Sequence, residues 1–207
     1  IFNDPFRGHP HKLVMCDTYT PTGEPLSSNN RVWANSLFDT KSEQEPWFGL
    51  EQEYFLIYPA TNRPIGFHEN KQQGQFYCSV GAENAFGRTV AEEHLHICVA
   101  AGIKISGMNA EVAPGQWEFQ IGPCTGIEEG DHLWMARYLL QRVAEIHNLS
   151  VNFNPKPLKG DWNGSGCHTN FSTKHMREGL EDKTGLSFIQ DAIHKLSLKQ
   201  DEHMAVY

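Results

Sequence analysis

Lysine and arginine are scarce in this 207-residue chain, 17 against 25 aspartates and glutamates, which leaves a net charge of −8. No overall basic field recommends nucleic acid as a partner. No apolar run approaches the length of a membrane span, so no membrane partner is expected. The five cysteines (Cys16, Cys78, Cys98, Cys124, Cys167) are scattered, with no CxxC pair. That excludes a disulfide framework, argues for a reducing compartment and predicts a cytoplasmic protein. There is no GxxxxGK loop and no GxGxxG; Gly164 and Gly166 supply only half of such a motif. An acidic chain can still bind an anionic substrate where metal ions reverse the local sign of charge.

Hydrophobic residues make up 39% of the chain and charged ones 20%, enough for a real core. The chain opens on Ile1 and ends in "HMAVY", which reads as a piece of a longer protein. The "TPTG" turn at Thr20–Gly23 marks the best boundary between a short leading piece, 1–19, and a main domain, 20–207. The leading piece holds a strand candidate, "HKLVMCDTY". Helices are predicted over "SSNNRVWANSLFD", capped by Ser27 or Ser28, over "GRTVAEEHLHICVAAG", stopped by Gly102, and over "DHLWMARYLLQRVAEIHN", capped by Asp131. "LSFIQDAIHKLSLK" adds a helix with Leu186, Ile189, Ile193 and Leu196 in one stripe. "WFGLEQEYFLIY", "IKISGMNAEV", "QWEFQIG", "LSVNF" and "SGCHTNFST" read as strands. The order predicts an α+β fold: a curved, mostly antiparallel sheet backed by helices.

Glutamate is a poor strand residue, yet Glu51 and Glu53 stand two apart in "GLEQEYF" and so share a face. Taken alone, the pair fits the wetted face of an amphipathic strand. A second pair changes the balance. Glu111 and Glu118 are seven apart, but the Pro114–Gly115 turn folds the strand back and lets both reach one face. In "GSGCHTNFS", His168, Asn170 and Ser172 alternate along one strand face. Four carboxylates and one imidazole suit hard divalent cations, Mg2+ or Mn2+, and so many ligands call for two ions. "HLH" at His94 and His96 is not read as a metal site, because residues two apart on a helix do not face each other.

The segments "NDPFRGHPHKLV", "WFGLEQEYFL", "YCSVGAENAFGR", "NAEVAPGQWEFQIGP", "GDHLWMARYLLQRV" and "NPKPLKGDWNGSGCHTNFSTKHMRE", in this order, resemble the eukaryotic-type glutamine synthetase family over nearly the whole chain. The resemblance implies ATP-dependent ligation of ammonia to the γ-carboxylate of L-glutamate, through γ-glutamyl phosphate. It implies that Glu51, Glu111 and Glu118 hold the cation nearer glutamate, and that Glu53 and His168 hold the one at the transferred phosphate. Of these, Glu51, Glu118 and His168 are expected to act at the reacting groups. Asp161, Trp162, Asn163 and Gly164 match the loop that holds the glutamate backbone groups. Trp47, Asn170, Phe171, Ser172 and Arg177 match the nucleotide side, and Glu118, Phe119, Gln120, Ile121, Gly122 and Pro123 line the phosphate path. The family also implies a homo-oligomer of two stacked pentameric rings. Residues 1–19 would then be the end of an amino-terminal β-grasp domain.

One departure concerns the Gly- and Pro-rich "GPQGPYYC"-like loop of the family. Here it reads "ENKQQGQFYC", with only Gly74 left of the loop's glycines and prolines, which puts nucleotide affinity in question. The family's substrate-binding arginines, flap glutamate and one further metal-binding glutamate lie beyond Tyr207. Two alternatives stay open: a catalytically inactive relative with a structural role, and a ligase joining glutamate to a different amine.

Overall fold

The computed structural model describes residues 1–68 and 72–206. The chain begins with β1 (Phe2–Asn3) and β2 (Lys12–Leu13), paired antiparallel. The strand expected over 11–19 therefore shrinks to two residues. Beyond Leu13 the segment has, among the described residues, no ladder partner except a single bridge from Tyr19 to Pro25, and Val14 and Cys16 are exposed. Helix α1 (Asn30–Thr40) starts later than expected and is not capped by Ser27 or Ser28. Asn29 flanks it instead, and its side-chain amide donates to Thr18 O at 3.0 Å, tying the helix start to the leading segment.

The aromatic run forms β3 (Trp47–Tyr58), the long central strand. β4 (Arg63–Pro64), helix α2 (Arg88–Ala101), β5 (Ile105–Ala110) and β6 (Gln116–Thr125) follow. Gly102 ends α2 with φ +86°, the left-handed conformation its missing Cβ permits. Helix α3 (Glu128–Ile146) begins three residues before Asp131. Asp131 is thus not its cap; its carboxylate accepts from Arg31 Nε at 2.8 Å and Nη2 at 2.7 Å, joining α3 to α1. β7 (Ser150–Asn152), β8 (Cys167–Ser172), α4 (Lys174–Glu178), α5 (Gly185–Ser197) and α6 (Gln200–Met204) complete the order.

Every pairing in the six-stranded sheet is antiparallel. β3 pairs with β6 along Trp47–Phe55 and, on its other edge, with β8 along Trp47–Gln52 and then β7 along Phe55–Ile57; β4 meets its end at Ile57–Tyr58, and β5 pairs with β6. Strand alternation then sorts the side chains. Leu50, Tyr54 and Leu56 of β3 and Trp117, Phe119 and Ile121 of β6 are buried in one core with Val90, Ala91 and Cys98 of α2 and Ala136, Leu140 and Val143 of α3. The intervening residues point to the opposite face, where the carboxylates lie. His94 is buried in the helix layer while His96 is exposed, so the two do not converge.

Candidate active site

The Pro114–Gly115 turn folds β5 back onto β6, as the spacing predicts; Gly115 has φ +68°, and a Cβ there would meet Ile65 O at 2.7 Å. Glu118 pairs across the sheet with Glu53 on one side and Asn109 on the other. Glu53, Glu111 and Glu118 each offer a carboxylate oxygen, all within 4.8 Å of one another. Glu111 and Glu118 are buried. Burial first, and then the charges of Glu53 and Glu118, raise the Glu111 carboxyl above its ordinary pKa. Burial also raises Glu118, against a hydrogen bond from Gln120 and with Glu51 and Glu53 adding to the rise. Amides knit the cluster together. Gln120 Nε2 donates to Glu118 and, at 2.7 Å, to Asn109 Oδ1, and Asn109 Nδ2 donates to Glu111 Oε1 at 3.0 Å.

Glu51 is not one of this trio, although its charge acts on Glu118. It is the direct cross-strand neighbour of His168, and its Oε1 accepts from Asn170 Nδ2 at 2.6 Å. The structure therefore groups the acids differently from the resemblance-based expectation: Glu53 joins Glu111 and Glu118, and Glu51 partners His168. Register is the physical reason, since Glu53 faces Glu118 while Glu51 faces Gln120 on one side and His168 on the other. Glu53 is also tied to the approach to β8, where Gly166 N–H donates to its Oε2 at 2.5 Å.

The 161–164 loop lies on the same face of the sheet. Trp162 packs against Phe67, ring centroids 5.0 Å apart, and joins Phe55, Ile57 and Ala113 in a second apolar cluster. Asn163 Nδ2 donates to Gln116 Oε1 at 3.1 Å, so that end of its amide is engaged within the protein. Gly164 is confined by the chain itself: a Cβ there would sit 2.7 Å from Pro155 O. Asp161 is exposed, and its carbonyl accepts from Gln73.

A cleft of roughly 410 Å³ opens between β3, β6 and β8. Trp47, Gln120, Ile121, Gly122, Pro123, Asn170, Phe171 and Ser172 line it, together with Glu51 and Ser106. Phe119 does not join them, because alternation turns it into the core, where it meets His94 edge-on at 4.9 Å. Arg177 stands at the Trp47 end, its guanidinium carbon 3.9 Å from the ring centroid. It donates to Ser172 Oγ at 3.0 Å and to Glu45 O at 3.1 Å. Of the altered loop Glu69–Gln75, residues 69–71 lie outside the described residues.

Sequence reasoning missed the buried amides Gln52 and Gln116, along with Arg137 and Gln73. Gln52 and Gln116 are each at most 2% exposed. For Gln52 the available signal was a glutamine at a core-facing strand position, because a buried amide needs partners; Gln116 lies on the acidic face, where its partners come from the distant 161–164 loop.

Fold and geometry define an α+β catalytic-type domain: an antiparallel sheet, backed by helices, with an acidic cluster and a cleft on its open face. The family model described as glutamine synthetase, catalytic domain, matches residues 30–187, and the chain belongs to that family. It is 55% identical over its full length to a glutamine synthetase of Agaricus bisporus, covering 58% of that protein. It is 52% identical to a chloroplastic glutamine synthetase of Brassica napus, covering 49% of it. The chain thus spans about half the length of the curated relatives it matches. A solved structure described as "GmaS/ADP complex-Conformation 1" aligns over 76% of this chain and 36% of its own, with a TM-score of 0.62 and 26% identity.

Proposed function

We propose that this chain forms the metal-binding and nucleotide-binding part of a glutamine synthetase, which joins ammonia to the γ-carboxylate of L-glutamate at the expense of ATP. The observation that carries this reading is the Glu53–Glu111–Glu118 cluster. Two buried carboxylates with raised pKa values beside a third are at odds with a purely structural role, because mutual repulsion destabilises them unless a cation intervenes. The donor set, all oxygen apart from one imidazole, fits Mg2+ or Mn2+. Glu53, Glu111 and Glu118 would hold one ion, and Glu51 with His168 would contribute to a second. Bound there, such ions neutralise phosphate charge so that two anionic reactants can approach.

The remaining tasks fall to the chain's own groups. The 161–164 loop binds glutamate, and the half-buried Asn163 lies beside the acidic face. The cleft takes the nucleotide, with Trp47 stiffened by Arg177 as a stacking wall and Gly122–Pro123 along the phosphate path. The relative captured with ADP supports a nucleotide on this fold. Transfer of the γ-phosphoryl group from ATP to the glutamate γ-carboxylate yields ADP and γ-glutamyl phosphate. Ammonia attacks that acyl carbon, phosphate leaves, and the nitrogen gives up a proton to yield glutamine. We further propose that residues 1–19 end a preceding β-grasp domain, that the whole protein assembles as stacked pentameric rings, and that it resides in the cytoplasm. Its five unpaired cysteines support that location, and no helix of the described residues is long and apolar enough to cross a membrane.

The test is a product assay on the whole protein with ATP, glutamate and Mn2+, supplying ammonia and, separately, polyamines. Glutamine formed only with ammonia supports the reading. A γ-glutamyl polyamine as the main product moves the chain to another amine ligase, and no product together with no Mn2+ binding overturns an enzymatic role.

A further inference from the structure

The described part of the segment that departs from the family's loop pattern, 72–78, contacts the 161–164 loop through Gln73 and does not line the cleft. Its main chain is anchored beside Glu111: Gly74 N–H donates to Val112 O at 2.7 Å, and Cys78 N–H donates to Ala110 O at 2.9 Å. From that base the side chain of Gln73 reaches across. Its Oε1 accepts from Asn163 N–H at 2.7 Å, and its Nε2 donates to Asp161 O at 3.1 Å. Both partners are main-chain groups two residues apart, so the amide reads the loop backbone much as a neighbouring strand would.

From the sheet side, Gln116 Nε2 donates to Gly164 O at 2.8 Å while its Oε1 receives Asn163 Nδ2. The loop is thus held between two primary amides. Gln116 is 1% exposed and fixed by its strand, whereas Gln73 is only half-buried and comes from a segment with little regular structure. A free loop running through Asn163 and Gly164 has many conformations, and ordering it on ligand binding costs affinity.

We propose that Gln73 is a positioning residue for the amino-acid substrate: it preorganises loop 161–164 and thereby sets glutamate affinity, leaving the nucleotide side unaffected. This rests on the reading above that the loop takes glutamate. Gln73 matches the glutamine of the quoted family pattern, and its contacts turn this loop towards glutamate, in keeping with the absence of Gln73 from the residues lining the cleft.

The test compares the whole wild-type protein with Gln73→Leu and Gln73→Glu. Each is measured for glutamate binding by calorimetry, for KM of glutamate and of ATP, and for Tm. Gln73→Leu removes both hydrogen bonds and is expected to weaken glutamate binding about tenfold, with the glutamate KM rising in step. Gln73→Glu keeps the acceptor for Asn163 N–H but cannot donate to Asp161 O, so it should fall between the two. ATP KM should stay within about twofold of wild type in both. Unchanged glutamate binding in a folded Gln73→Leu or Gln73→Glu protein overturns the inference, and so does an equal rise in ATP KM. In either case wild-type glutamine formation leaves the proposed function standing. A wild-type protein that binds no glutamate sinks the proposed function, and this inference with it.

Discussion

Glu53 of β3 and Glu118 of β6 are direct cross-strand partners, two carboxylates facing each other on the open side of the sheet. Like charges placed directly opposite on neighbouring strands destabilise the pair by roughly 0.2–1 kcal/mol, and here Glu111 adds a third charge. The fold tolerates this arrangement at a cost in stability, which is the signature of a site built for something it binds.

Glu118→Gln should therefore separate function from stability. It keeps an oxygen to accept from Gln120 but removes one charge from the cluster. Without metal, the variant should melt about 1–3 °C higher than wild type, from the relieved repulsion. Mn2+ binding should weaken about a hundredfold or more, and glutamine formation should fall with it. Calorimetric melting beside a Mn2+ titration checks both halves. A variant that binds Mn2+ as wild type does refutes the assignment of these carboxylates.

The amide that holds Glu53 in place gives a second prediction. Gln52 Oε1 accepts from Arg137 Nε at 2.8 Å and from Arg137 Nη2, while its Nε2 donates to Glu53 O at 2.7 Å and Gly166 O at 3.2 Å. Arg137 in turn lies 5.0 and 5.4 Å from the ring centroids of Trp134 and Phe153. Arg137→Met would leave the buried Gln52 oxygen without its donor, at a cost of about 1–3 kcal/mol, which lowers Tm by about 3–10 °C. Arg137→Lys should recover little, since an ammonium cannot reproduce the planar two-pronged contact. A Tm within about a degree of wild type in Arg137→Met would remove this network from the account.

Much of this arrangement was legible from residue order, and the exceptions have identifiable causes. Alternation placed Glu51 and Glu53 on one face, and the Pro114–Gly115 turn brought Glu111 to Glu118, because both are local rules of strands and turns. Which glutamate meets which partner depends on inter-strand register, and β3 has different neighbours on its two edges, so sequence spacing was silent on it. Phe119 was placed on the phosphate path with its neighbours, whereas strand alternation turns it inward beside His94. Ser27, Ser28 and Asp131 failed as caps because Asn29 and Arg31 make tertiary contacts that override local preference.

His94 gives a prediction about pH. Its Nε2 lies 3.0 Å from Ala136 O, which can only accept, so that nitrogen carries the hydrogen of a neutral ring. Burial lowers its pKa to about 4, and burial likewise raises the neighbouring Cys98 thiol. In the unfolded chain the imidazole titrates near 6.5. Between those values the unfolded state takes up a proton that the folded state refuses, so the stability held above pH 6.5 is lost as pH falls towards 4. The loss is on the order of 3 kcal/mol. Tm measured from pH 7 to pH 4 should fall more steeply in wild type than in His94→Gln, and parallel curves would contradict the assignment.

The stripe on α5 yields the last prediction. Leu186, Ile193 and Leu196 are 62%, 60% and 56% exposed, and Ile189 is 39% exposed. The helix is held from another side, where Phe188 stacks on His175 of α4 at 5.2 Å. The amphipathic pattern is therefore real, but among the described residues its apolar face looks outward. An exposed apolar band of this kind drives association. The 207-residue chain on its own should bind a hydrophobic dye and elute from a sizing column above its monomer mass. Leu186→Glu combined with Ile193→Glu should lower both signals while shifting Tm by no more than about 2 °C, since neither side chain is buried within the chain. A Tm loss well beyond that would mean the stripe supports the fold of this chain directly, and equal dye binding in both proteins would place the sticky surface elsewhere.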